Sequence, residues 1–143
     1  MTPDNDMRYS EAGEHDCFSM ANMIPQNKQN NEIIWKKLEN YVRDITNKYD
    51  TVIVITGAVI KELTIVNTQK GKLIVPKQIY KIVYIKNAEA ISFVMNNQGY
   101  NEPLIDFIHN IRYVETLTGI SFFNNTPNKN EFDNVLDKEF WFK

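Results

Sequence analysis

The stretch "TVIVITGAVI", residues 51–60, constrains the fold of this chain more than any other. It is β-branched and apolar, which predicts a strand buried on both faces and ended at Gly57. Ahead of it, from about Glu32 to Lys48, Ile33, Ile34, Leu38, Tyr41, Val42 and Ile45 recur at helical spacing and predict an amphipathic helix. After it, "LTIV" and "KLIVP" flank "NTQKG", a hairpin closed by Gly71. "IYKIVYI" (79–85) and "AISFVM" (90–95) read as two further strands separated by "KNAE". Beyond the loop "NNQGYNEP", Pro103 opens a helix through "LIDFIHNIRYVETLTG" that Gly119 ends. Residues 1–30 read as a loop with one short strand at "CFSMANM" (17–23) and a turn at "IPQN", where Pro25 holds Ile24 extended. "FDNVLDKEFWFK" closes the chain as a short aromatic-rich helix. Helix, several strands, helix: the order predicts an α+β domain around a largely antiparallel sheet.

Composition removes several functional classes. With 143 residues, 43% of them hydrophobic, the chain can build one real core. A net charge of −2 and no basic block leave no electrostatic footprint for metal-free nucleic-acid binding. A single cysteine, Cys17, excludes an internal disulfide framework and a multi-cysteine zinc site, and is read as a buried, inert thiol. Two histidines, His15 and His109, do not make a histidine-rich metal cluster. His15 reads as a solvated loop histidine and His109 as a packing or boundary residue. No apolar run approaches the ~20 residues that span a bilayer. The opening "MTPDNDMRYS" has neither the basic nor the apolar region of a signal peptide, and localisation does not follow from it.

Within the first helix, Asn31, Trp35, Glu39 and Arg43 follow one another at steps of four. Two readings stand. In one, Asn30 or Asn31 caps the helix, Trp35 is core, and Glu39–Arg43 is an i,i+4 ion pair. In the other, the stripe is half of a site. On an α-helix, residues eight apart lie roughly 12 Å along the axis and roughly 80° around it. Asn31 and Glu39 therefore do not easily grip one ion directly, but a Mg²⁺ that keeps several waters connects them.

The spacing of several motifs resembles the DNA/RNA non-specific endonucleases, the ββα-metal or His-Me finger nucleases. Members carry Asn-x-x-Pro-Gln, a second asparagine nine residues after the first, then Trp-x-x-Leu-Glu. This chain has Asn22-Met-Ile-Pro25-Gln26, then Asn31, then Trp35-Lys-Lys-Leu38-Glu39. "VITG" (54–57), "IVPKQIYKIV" (74–83), "AISFVMN" (90–96) and "VETLTGISFF" (114–123) are similar to the family's later strands and closing helix.

The resemblance implies an N-terminally truncated ββα-metal nuclease fold with a central antiparallel sheet flanked by helices. Residues 1–123 would be the C-terminal portion of the nuclease domain, and 124–143 a linker and aromatic tail. It implies Asn31 as ligand of a single Mg²⁺, with Mn²⁺ as the alternative ion, and Glu39 as the carboxylate that organises the ion's waters. It implies Asn22 as a polar residue near the substrate, and Arg43 as a partner of the scissile phosphate or of Glu39. DNA and RNA are the implied substrates; no membrane partner is expected, and a homodimer is one assembly open to the chain. Full-length members are commonly exported or organellar.

One departure bears on activity. The family's Asp-Arg-Gly-His supplies the general-base histidine, and Met1 falls where the residue after that histidine belongs. The expectation is a chain that lacks its base, along with the strands upstream of it, and is inactive alone. The alternative is a nuclease-like domain without catalysis that binds nucleic acid or a partner protein.

Overall fold

The structure is a computed structural model and describes residues 6–8, 10–19, 22–126, 129 and 137–142, except the side chains of Glu14, Cys17 and Glu62. The expectation for the Cys17 thiol lies outside the described residues. Helix α1 spans Glu11–Cys17, with the Ser10 hydroxyl accepting from Gly13 N–H at 3.0 Å. Where a short strand was expected at 17–23, the described residues are the end of this helix and the turn after it.

Helix α2 begins as a π-helical turn, Asn30–Trp35, and continues as an α-helix over Lys36–Thr46. Neither Asn30 nor Asn31 caps it. Asn27 does, its side-chain oxygen accepting from the N–H groups of Gln29 at 3.0 Å and Asn30 at 3.3 Å.

Four antiparallel strands follow in the order β1-β2-β3-β4: Val52–Thr68, Gly71–Ile85, Ala90–Asn96 and Ile108–His109. The hairpin turn at residues 68–71 is where "NTQKG" placed it, with Gly71 at φ +127°, a conformation that favours glycine. "KLIVP" and "IYKIVYI" join into one long strand, β2. Strand β1 is not buried on both faces. It lies at the sheet edge, with Ile53 at 44% and Ile60 at 71% exposure, and it runs past Gly57 with a register shift between Val59 and Leu63. A β-branched run has the same composition on an edge ribbon as in a buried strand, so it identifies a strand without fixing its place in the sheet.

Gly57 is instead required by packing. A Cβ there would lie 2.5 Å from the Tyr80 hydroxyl oxygen and 2.6 Å from the adjoining ring carbon. Tyr80 is buried and packs edge-on against Phe122 with centroids 6.1 Å apart, so it has little room to swing away. Gly57→Ala is expected to cost about 1–3 kcal/mol, read as a lower urea midpoint. An unchanged midpoint would show that the ring moves freely.

The helix expected from Pro103 divides. A 3-10 turn at Leu104–Phe107 leads into β4, and helix α3 spans only Ile111–Thr118. Asn110 caps it by accepting from Tyr113 N–H at 3.0 Å, and Gly119 ends it at φ +74°. His109 is thus in a strand; its ring stacks on Tyr113 at 4.0 Å, and burial pushes its pKa down. This is the packing role expected of it.

The sheet is sandwiched. On one face, Ile34, Trp35, Leu38, Val42 and Ile45 of α2 pack against Ile79, Val83, Ile91, Phe93 and Met95. On the other, Ile111 and Val114 of α3 pack with Tyr80, Ile82 and Val94. Odd residues of β2 therefore face α2 and even ones face α3, the period-2 alternation of a strand. At the C-terminus, helix α4 (Lys138–Trp141) returns to α2, where the Tyr41 hydroxyl donates to the Trp141 carbonyl and Phe142 stacks on Tyr41 at 5.4 Å. Among the described residues no helix is long and apolar enough to cross a membrane.

Candidate active site

Helix α2 carries the site because its two ends are held differently. At its start Asn30 is fully buried. Its amide nitrogen donates to the carbonyls of Asn96 at 3.1 Å and Gln98 at 3.0 Å, and its oxygen accepts from Gln26 at 3.3 Å. This ties the first turn of α2 to the end of β3 and leaves Asn31, the next residue, exposed. The π-helical turn between Asn31 and Trp35 is wider than an α turn, so the phase between Asn31 and Glu39 is not that of a regular α-helix. Such turns are rare and concentrate at functional sites.

Farther along, Glu39 and Arg43 are half-buried, and Trp35 is 2% exposed. Burial raises the Glu39 pKa above the usual carboxylate range, against the lowering influence of Lys81, then Arg43, and of a hydrogen bond from Trp35. Asp6 adds a further upward push. Arg43 donates through Nε to Asp6 at 2.6 Å and through Nη1 to Asn40 at 2.7 Å. Lys81 on β2 lies in the row that faces α2, is 2% exposed, and holds its ammonium 5.0 Å from the centroid of the Trp35 ring. Burial pushes its pKa down, against the upward pull of Glu39 and Asp6.

Three of the residues singled out in the sequence, Trp35, Glu39 and Arg43, are thus brought together, with Asp6 and Lys81 joining them. Asn31 sits two turns N-terminal to Glu39 on the same helix. Asn22 is half-buried in the segment that enters α2, with its N–H donating to the Ser19 carbonyl at 2.8 Å. His15 is at the end of α1, its side chain 91% exposed and 3.8 Å from Asp16, as a solvated histidine would be.

Lys81 was missed in the sequence although a signal was there. It interrupts the apolar row Ile79, Val83, Ile85 at a position that alternation assigns to the core. Asp6, in a polar loop-like stretch, carried no signal.

The donor set suits a hard, hydrated ion. Among the described residues there is no group of three or more histidine, cysteine or acidic side chains that could enclose a metal. What exists is one exposed amide oxygen, Asn31, and one carboxylate that burial leaves short of positive charge, Glu39. Both are oxygen donors, and an ion that keeps most of its own waters needs few more.

The sequence matches the family model described as DNA/RNA non-specific endonuclease over residues 1–129. It is 30% identical over 140 residues to the mitochondrial nuclease EXOG of Danio rerio, covering 86% of this chain and 41% of that protein. It is 29% identical over 133 residues to mitochondrial endonuclease G of Bos taurus, covering 82% and 44%, respectively. Nuclease C1 of Cunninghamella echinulata var. echinulata matches at 27% identity over 139 residues, covering 87% and 55%. The chain therefore spans less than two thirds of the length of these relatives. The family is one of metal-dependent nucleases, and the α+β architecture with its antiparallel sheet agrees with it. With 129 of its 143 residues in register with the family model, the chain belongs to the DNA/RNA non-specific endonucleases.

Proposed function

We propose that this chain forms the metal- and phosphate-holding part of a site that hydrolyses phosphodiester bonds in DNA and RNA without sequence specificity. The observation that carries the reading is the state of Glu39. Its carboxylate is half-buried on α2 and bonded by Trp35, and burial outweighs its cationic neighbours, so that its pKa is raised. A carboxylate left short of positive charge in a structured cluster is a mark of a functional site.

Asn31 would bind Mg²⁺, or Mn²⁺ in its place, through its side-chain carbonyl, and Glu39 would orient the ion's waters. When bound, the ion neutralises charge gathering on the phosphate and the leaving oxygen. The Arg43 guanidinium edge that Asp6 occupies has the geometry that also accepts a phosphate. Asn22 would hydrogen-bond substrate near the cleaved bond. None of these groups is a base for the attacking water, and the 143 residues contain no Asp-Arg-Gly-His. The chain alone is therefore inactive, since loss of a positioned base costs ~10²–10⁴-fold in rate.

The test is supercoiled plasmid with Mg²⁺. The chain alone is expected to leave it intact. Added imidazole, a diffusible base, is expected to restore nicking that stops with EDTA and with Asn31→Ala. Rapid cleavage without imidazole would remove the inactivity claim. A chain that binds no Mn²⁺ and never nicks DNA would remove the nuclease reading.

A further inference from the structure

We propose that Lys81 is a positioning residue of this site. Its ammonium, packed on the Trp35 ring in the sheet face that underlies α2, keeps the Glu39 carboxylate ionised and aimed at the waters it orders. The proposal rests on the nuclease reading above.

The first argument is placement. Ile79, Val83 and Ile85 share the strand face of Lys81 and are all core. Lys81 is nearly as inaccessible as they are, at 2% exposure. Desolvating an ammonium is expensive, and a well-packed apolar side chain in place of a buried ion pair is often neutral or stabilising. Stability alone gives no reason for a cation in that row.

The second argument is shared chemistry. Trp35 uses its ring face for Lys81 and its indole N–H for Glu39, so the three side chains form one unit. The third is division of labour among the charged groups that face Glu39. Arg43, one turn on along α2, has its guanidinium committed to Asp6 of the N-terminal segment and to Asn40. Lys81, from β2, is the cation with the larger influence on Glu39, ahead of Arg43. Asp6 opposes both by raising the Glu39 pKa.

The experiment is a carbon-13 NMR titration of the Glu39 carboxyl in the full chain and in its Lys81→Met and Lys81→Arg variants, with Mn²⁺ affinity measured across the same pH range. Lys81→Met is expected to raise the Glu39 midpoint by ~1 unit or more, and Lys81→Arg to restore most of the difference. Mn²⁺ binding by Lys81→Met should weaken by about tenfold at pH values where its Glu39 is protonated. It should recover as the pH rises; a merely structural disturbance would weaken it throughout.

If Lys81→Met does not fold, Glu39→Gln supplies the reciprocal measurement, in which the Lys81 ammonium midpoint should fall once its carboxylate partner is gone. An unchanged midpoint in whichever variant folds overturns the pairing. Mn²⁺ binding that Lys81→Met leaves intact overturns the positioning role alone. A wild-type chain that binds no Mn²⁺ overturns the nuclease reading and the positioning role with it.

Discussion

Trp35→Ala is expected to remove about 3–5 kcal/mol of stability, the usual range for emptying a core position filled by a large aromatic. Small domains are stable by only ~5–15 kcal/mol in total, so the variant should unfold early in urea or not accumulate folded. The cause is more than lost volume. Trp35 belongs to the cluster that joins α2 to β2 and β3, and its ring is the surface on which the Lys81 ammonium rests. Without the ring, a buried cation faces a void. Trp35→Phe separates the two functions of the indole. It keeps an aromatic face for Lys81 and most of the packing, so its stability loss should be a fraction of that of Trp35→Ala. It has no N–H for Glu39, so the carboxylate loses a hydrogen bond to its charged form and its pKa should rise further. Urea midpoints with a Glu39 carboxyl titration check both. Equal stability losses in the two variants would mean that the N–H, not the ring, carries the structural weight.

The sheet and its hairpin were legible in the sequence because period-2 alternation and the turn residues are local signals. "NTQKG" turned where glycine chemistry says it should, and the apolar stripe of α2 faces the sheet. What failed were statements about partnership. Whether "TVIVITGAVI" sits at an edge or in the centre depends on which strand reaches its other side, and nothing within the segment records that. Gly57 read as a stop, but its meaning lies in Tyr80 on the neighbouring strand, whose ring takes the space of a side chain. The region after Pro103 read as one helix because a 3-10 turn and a two-residue strand carry the same apolar spacing as a helix over so short a length. In the site, Glu39 and Arg43 were legible as neighbours on one helix. Lys81 comes from a strand over forty residues later, and only the register of β2 against α2 brings it there.

The adjacent pair Asn30 and Asn31 gives the sharpest contrast the fold predicts. Sequence chemistry treats them alike, as polar residues at a helix start. The structure buries the first completely and exposes the second. Asn30→Asp keeps size and shape but replaces the amide nitrogen that donates to the Asn96 and Gln98 carbonyls with an oxygen that cannot donate when ionised. A carboxylate would then face two carbonyl oxygens in a dry setting, so it should take up a proton or force the contact open. The expected loss is about 3 kcal/mol. It should be larger at neutral pH than at low pH, because the buried acid's pKa would lie above its unfolded value and the penalty grows as pH rises through it. Asn31→Asp, one residue on, places its charge in solvent within the first turn of a helix, where the dipole favours an anion by ~0.3–1 kcal/mol. Its stability should be unchanged or slightly raised, and its Mn²⁺ affinity should rise because a carboxylate replaces an amide oxygen. Denaturation of both variants across pH, with Mn²⁺ titration, decides the matter. Equal stability losses would mean that Asn31 is as deeply engaged as Asn30. A fall in Mn²⁺ affinity for Asn31→Asp would mean that its side chain does not face the ion.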